Sequence, residues 1–322
     1  MKSVLFTIIM LLYSFLGYTQ ISKMYLNNKA ENVAPEKATS YILIEKVGDS
    51  AYVAQQNDMT NKILLKGSYK DEMLTIPHGK FFYYNKWIHY PNIYDKQHAD
   101  TTTYLEYAGF FLNGVKVGTW IDYDKNGKKV FMYTFVNNKV KGPFQAYNSS
   151  GQLIQKGNLD DNKKEGDWET YEPGMNKPSY TEVYLQDKLI KKSIHFVKAV
   201  PPRNFESYLK KALKKHMDSL NNVTVLLSIN KEGKIDSVTV NKVLNAAISK
   251  AVINAFLNAP LFSPGLYDGQ PVKQTSYFSF SLMLSKEIFI ERENSKNVDI
   301  VTRHAESIGR GLNSIGLGTR LD

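Results

Sequence analysis

The sequence predicts an α+β protein: an elongated antiparallel β-meander built from repeats, then a small α+β domain ordered helix, β-hairpin, helix, β-strand. Three observations predict it. A Gly-x-aromatic-x-x-Tyr pattern recurs with its glycines 24 residues apart, as Gly118-Thr119-Trp120-Ile121-Asp122-Tyr123, Gly142-Pro143-Phe144-Gln145-Ala146-Tyr147 and Gly166-Asp167-Trp168-Glu169-Thr170-Tyr171. The prolines of Val200-Pro201-Pro202-Arg203 then break the pattern. Beyond them, apolar residues change from alternation to the three- and four-residue spacing of a helix.

Composition narrows the function classes. With 322 residues, 43% of them hydrophobic, the chain is too apolar for disorder and long enough for two or three domains. It has no cysteine, which excludes disulfide frameworks, thiolate nucleophiles, Cys-ligated metals and the lipidated Cys of a bacterial lipoprotein. The six histidines, His78, His89, His98, His195, His216 and His304, lack metal-ligand spacing. No His-Glu-x-x-His, Gly-x-Ser-x-Gly or Ser-x-x-Lys motif occurs. Gly309-Arg310-Gly311-Leu312-Asn313-Ser314-Ile315-Gly316 mimics a nucleotide loop, but its last glycine is one residue late and no strand precedes it. The expectation is a non-enzymatic protein without catalytic, cofactor-binding or metal residues. A net charge of +10 suits anionic surfaces. Peripheral membrane contact is consistent with it, and nucleic acid is not expected as a partner.

Lys2 precedes an apolar run, Val4 to Leu16, too short for a spanning helix of roughly 20 residues. Gly17 and Thr19 follow as small residues, which is the pattern of a signal peptide over 1–19. The mature protein is therefore expected to be exported, periplasmic or envelope-associated; the alternative is an uncleaved inner-membrane anchor. Residues 20–40 read as a polar lead-in. The repeat sheet is expected over 41–197, opened by strands at Ser40–Glu45 and Ala51–Ala54.

Each 24-residue unit carries turn formers at both ends, for example Asn113-Gly114 and Asp124-Lys125-Asn126-Gly127, so each unit holds two short strands. Alternation puts Trp120, Phe144 and Trp168 on one face and Tyr123, Tyr147 and Tyr171 on the other. These six rings are the candidate repeat ladder: either the core of a one-layer sheet or a surface for stacking a ligand. The repeats resemble the MORN-repeat variant of exported bacterial proteins and of the YwqK-like antitoxin family, over roughly residues 60 to 190. That resemblance implies a binding or spacing scaffold and names no ligand.

Asn204 is placed to cap a helix carrying Phe205, Tyr208, Leu209, Leu213, Met217 and Leu220 on its apolar face and Lys210, Lys211, Lys214 and Lys215 on its solvent face. Val223–Asn230 and Ile235–Val240 read as a hairpin around Lys231-Glu232-Gly233-Lys234. A second helix, with Ile248, Val252, Ala255, Phe256 and Ala259, stops at Pro260. Gln274–Leu284 is the longest alternating strand.

This element order, with Asn-Lys-Glu-Gly-Lys-Ile, aromatic-x-Pro-Gly and Asp-Gly-Gln-Pro-Val at its turns, resembles the TonB C-terminal domain over about residues 201 to 284; the domain is expected over 198–285, with a flexible tail over 286–322. The resemblance implies a protein-binding module that takes an extended segment of an envelope or outer-membrane transport partner as an added strand. Its docking edge would involve Gln274, Ser276, Tyr277, Phe278, Phe280 and Leu282. The sequence departs from that family in lacking its Tyr-Pro pair, a Pro-rich spacer and a convincing anchor. Two other functions stay open: a repeat scaffold, antitoxin-like or structural, capped by the terminal domain, and an anchored energy transducer if residues 1–19 are retained.

Overall fold

The computed structural model describes residues 21–89, 100–219, 223–240, 245–282 and 288–291. The expected signal peptide over 1–19 and most of the expected tail lie outside the described residues. The described chain is mostly β, with a thirteen-stranded antiparallel meander and two α-helices. No described helix is long and apolar enough to cross a membrane.

The meander runs in sequence order through β1 (Ile21–Leu26), β2 (Ser40–Gly48), β3 (Ala51–Asp58), β4 (Ile63–Tyr69), β5 (Pro77–His89), β6 (Asp100–Leu112), β7 (Val115–Tyr123), β8 (Lys129–Val136), β9 (Lys139–Tyr147), β10 (Leu153–Asp160), β11 (Lys163–Thr170), β12 (Tyr180–Leu185) and β13 (Lys188–Ile194). Part of the stretch read as a lead-in is a strand, because β1 pairs with β2 from Ile21↔Glu45 to Leu26↔Ser40. The irregular stretch around Trp87 extends a hairpin: β5 and β6 remain paired out to His89↔Asp100.

Two kinds of turn set the register. In one, an Asp or Asn side chain accepts the backbone N–H groups two and four residues on: Asp124 from Asn126 and Lys128, both at 2.9 Å, and Asn148 from Ser150 and Gln152, both at 3.0 Å. Gly127 and Gly151 then take positive φ, 76° and 82°, where a side chain would be strained. In the other, two successive residues are left-handed: Asn113-Gly114, Asn137-Asn138 and Asp161-Asn162. Asn138 bonds Lys116 of the preceding repeat twice, side-chain oxygen to N–H at 2.7 Å and N–H to carbonyl at 3.1 Å. Asn162 repeats the pattern with Val140. Each turn thereby fixes its repeat against the one before.

The meander's apolar face is packed by its own side chains. Trp120 is fully buried, with Phe111, Phe135, Tyr83 and Tyr107 around it at centroid distances of 5.4, 5.5, 6.2 and 6.2 Å. The chain of rings continues through Phe111–Phe81 at 4.7 Å and Phe81–Tyr69 at 5.1 Å, both edge-on. Such pairs add about 0.5–1.5 kcal/mol each beyond burial. Glycines make room for the rings. A Cβ at Gly109 would lie 2.0 Å from the Trp120 indole, and one at Gly67 2.3 Å from the Phe81 ring.

The terminal part contains β14 (Phe196–Val197), α1 (Phe205–Ala212), β15 (Val223–Ile229), β16 (Ile235–Val240), α2 (Ala246–Leu257), β17 (Gly265–Tyr267), β18 (Gln270–Val272), β19 (Gln274–Leu282) and β20 (Ile288–Glu291). One sheet has the order β16-β15-β19-β20 and a smaller one β14-β17-β18. Phe205, Leu209 and Leu213 pack with Val225, Leu227, Val252, Phe256 and Phe280 in a single core. The first helix is shorter than expected: α1 stops at Ala212 and a 3-10 segment covers Lys214–Ser219. Asn204 makes no side-chain cap; its carbonyl accepts the Tyr208 N–H at 2.9 Å. Asn245 does cap α2, accepting the Ala247 N–H at 2.8 Å.

The described residues up to Lys164 belong to one compact unit, and those from Glu165 on belong to a second, which contains the last meander strands and the terminal domain.

The ring-over-glycine contact predicts a specific coupling. Gly109→Ala should cost about 1–3 kcal/mol in urea unfolding through overpacking. Trp120→Leu should cost less in the Gly109→Ala background than in the wild type, because the two changes relieve one clash. Additive costs would show that the ring does not depend on the glycine.

Candidate functional site

Among the described residues, the expected docking strand has a neighbour on both sides for part of its length and on one side for the rest. On one side β19 pairs with β15 without interruption, from Val223↔Phe280 to Ile229↔Gln274. On the other it pairs with β20 only from Ser279↔Glu291 to Leu282↔Ile288. Among the described residues no strand lies beside Gln274–Phe278 on that side. Met283 and Leu284, the end of the expected strand, lie outside the described residues.

The expected contact residues fall into different surroundings. Phe280 is buried in the core, and Phe278 is half-buried, edge-on to Phe205 and Phe256 at 5.5 and 5.7 Å. Gln274 is 7% exposed, and its side-chain oxygen accepts the Ala199 N–H at 2.7 Å, tying the start of β19 to the chain ahead of α1. Ser276 is half-buried. Tyr277 is 57% exposed and is the one large ring that β19 presents outward among the described side chains. Leu282 contributes backbone pairing to Ile288. Among the described residues this side of Gln274–Phe278 thus carries backbone without a strand neighbour, with Thr275 and Tyr277 exposed. Thr275, exposed beside Tyr277, was missed by sequence reasoning, although alternation from Phe278 and Phe280 indicates it.

The ladder residues separate by face. Trp120, Phe144 and Trp168 are 0, 2 and 0% exposed. Tyr123, Tyr147 and Tyr171 are half-buried; the Tyr147 hydroxyl donates to Gln145 at 2.6 Å, and Tyr171 donates to Glu169. The buried rings fill the sheet, which leaves Tyr123, Tyr147 and Tyr171 as the more accessible ring of each repeat. Sequence reasoning missed two parts of this ladder. Gly109, Tyr133 and Gly157 stand 24 residues apart, nine before each repeat glycine, and Tyr133 donates to Asp122 at 2.8 Å. Lys116 covers the rings, its ammonium 4.5 Å over Trp120 and 5.2 Å over Phe135.

Burial sets the electrostatics of this face. It pulls the Lys116 ammonium down to about 8, against the attraction of Asp122. It pushes the Tyr69 phenol up to about 12, with the Asp71 charge adding to the rise. Tyr83, Tyr107 and Tyr133 are also raised, first by burial and then by neighbouring phenols or carboxylates.

A second constellation lies at the end of the meander. His195 Nδ1 is 2.8 Å from Asp268 Oδ1, its Nε2 is 3.1 Å from Thr181 Oγ1, and its ring stacks on Tyr267. A hydroxyl, an imidazole and a carboxylate in this order resemble a hydrolytic triad. Here Asp268 is 62% exposed, and Thr181 sits within β12, paired to Glu169 and Ser193. The Asp268 N–H also donates to the His195 carbonyl at 2.7 Å, and the Tyr267 hydroxyl reaches the Pro178 carbonyl at 3.2 Å. These bonds make a strap between β12–β13 and the β17–β18 turn. No group of three metal-capable side chains occurs among the described residues.

No family model matches the chain. No curated protein matches it either.

The ionisation of the ladder predicts a peaked pH profile. Between about 8 and 10 the unfolded state holds a proton on Lys116 that the folded state binds less well, so stability rises with pH. Above about 10 the unfolded tyrosines lose protons that the folded ones keep. The stability from their burial is complete below that pH and is lost as pH climbs towards 12. Urea midpoints measured from pH 7 to 11 should rise and then fall, and Lys116→Met should flatten the rise alone.

Proposed function

We propose that the chain is a non-enzymatic, exported protein-binding module of TonB C-terminal type. It takes an extended segment of an envelope or outer-membrane partner as an added strand beside Gln274–Phe278. The observation that supports this reading is the asymmetric pairing of β19 among the described residues, complete on the β15 side and limited to Ser279–Leu282 on the other. Unpaired backbone groups along such an edge supply affinity, and the side chains that alternate outward supply choice. That β20 already pairs there shows that this side of β19 accepts an antiparallel strand.

Export rests on the signal-peptide pattern of residues 1–19, and the periplasm or envelope is the compartment that fits it. A second reading places binding on the meander, where Tyr123 and Tyr147, and Tyr171 in the following repeat, are half-buried outside the buried core. In that case the terminal domain is a cap.

The chain has no cysteine, so single introduced thiols separate these readings without background. After each thiol is alkylated with a benzophenone maleimide, irradiation of Thr275→Cys and Tyr277→Cys should trap one common envelope protein as a covalent adduct, while Asn126→Cys and Ser149→Cys in meander turns should not. Ending the chain at Glu287 removes β20 and should raise adduct yield several-fold, since cross-strand pairs are worth about 0.2–1 kcal/mol each. Adducts formed only from the meander positions would shift binding to the repeats and sink the strand-addition reading.

A further inference from the structure

We propose that the solvent face of α1 and the 3-10 segment after it is a docking surface for an anionic lipid bilayer. The structure first fixes which face this is. Phe205, Leu209 and Leu213 are 1, 0 and 0% exposed and anchor the helix in the terminal core, and the Tyr208 hydroxyl donates to the Ala255 carbonyl at 2.8 Å. The helix cannot roll without breaking these contacts. Lys211, Lys214 and Lys215 are consequently held outward, with Lys210 half-exposed and Arg203 exposed one residue ahead of Asn204.

Along these two segments the five cations outnumber two carboxylates, Glu206 in the first turn of α1 and Asp218 near the end of the 3-10 segment. Elsewhere six lysines are held in ion pairs: Lys86 with Asp58, Lys139 with Asp161, Lys141 with Asp160, Lys192 with Glu182, Lys198 with Glu172 and Lys273 with Asp236. Among the described residues none of the five cations at α1 has an ion-pair partner. Four or more cations clustered on one short stretch of an amphipathic segment are the electrostatic footprint of an acidic-lipid site.

A bilayer is favoured over a soluble polyanion by what adjoins the charge. Val200 and Leu261 are 52 and 60% exposed. Val200 and Ser263 exchange backbone hydrogen bonds at 3.0 and 2.9 Å, and Phe205 packs on Phe262 at 5.0 Å. These contacts hold the two segments that carry Val200 and Leu261 next to each other and to Phe205 at the start of α1. An apolar tip next to a basic face suits the boundary between headgroups and acyl chains.

The test uses the mature full-length chain and sedimentation with vesicles of phosphatidylcholine, alone or mixed with phosphatidylglycerol. Binding is expected only to the mixed vesicles and should disappear at high salt. Neutralising Lys210, Lys211, Lys214 and Lys215 together to Gln should weaken it at least about tenfold. Neutralising four scattered exposed lysines, Lys37, Lys46, Lys80 and Lys188, leaves the same net charge and should weaken it far less. Equal losses in the two variants would reduce the effect to net charge and overturn the site. Equal binding to both vesicle types would overturn it as well, and so would retention on soluble polyphosphate with no vesicle binding.

Discussion

The meander depends on an aromatic ring lying flat over a glycine of the neighbouring strand. A single sheet has no second layer in which to hide its apolar side chains, so its rings must find cover within the same face. Trp120 does this by occupying the space where Gly109 lacks a Cβ, and Phe81 does the same over Gly67. Laid down in this way, each ring touches those of adjacent strands edge-on, and Trp120 becomes fully buried. Glycine weakens a strand when considered alone, because it has no side chain to pack. Here the packing of its neighbour's ring supplies what it lacks.

That arrangement tolerates little slippage, since moving a strand by one residue would turn its rings to the other face. The hooks at Asn138 and Asn162 meet this requirement by bonding Lys116 and Val140 in both directions. The terminal domain solves a similar problem differently. A Cβ at Gly233 would lie 1.9 Å from the Phe262 carbonyl oxygen, and the Phe262 N–H donates to the Gly233 carbonyl at 2.9 Å. The β15–β16 turn is thus set directly against the segment leaving α2, which carries Phe262 into the core.

These constraints explain which features were legible in the sequence. The 24-residue period, the turn residues and the buried repeat rings were readable because each is a local pattern of residue types. The Asn-Lys-Glu-Gly and Phe-Ser-Pro-Gly motifs were also readable, although their mutual contact was not. Gly109 went unnoticed because a glycine inside a strand is visible as a packing device only once the ring above it is placed. β1 was missed because Ile21–Leu26 alternates weakly and is defined by its pairing with β2. The candidate edge was legible as a strand but not as an edge, since backbone pairing leaves no mark on side-chain type. Gln274 shows the same limit: its polar side chain reads as surface, whereas its oxygen is spent inside on Ala199.

The geometry of β19 also bounds what it could bind. The stretch without a neighbour among the described residues runs from Gln274 to Phe278, about 17 Å at ~3.4 Å per residue. A guest of that length matches an average strand but makes few hydrogen bonds, each worth about 1 kcal/mol net. The inner face of β19 cannot add selectivity, because Phe278 and Phe280 are committed to the core. Selection must therefore come from Thr275 and Tyr277 and from contacts beyond the strand. Tight capture requires either that β20 gives up Ser279–Leu282 or that a second surface of the protein holds the partner.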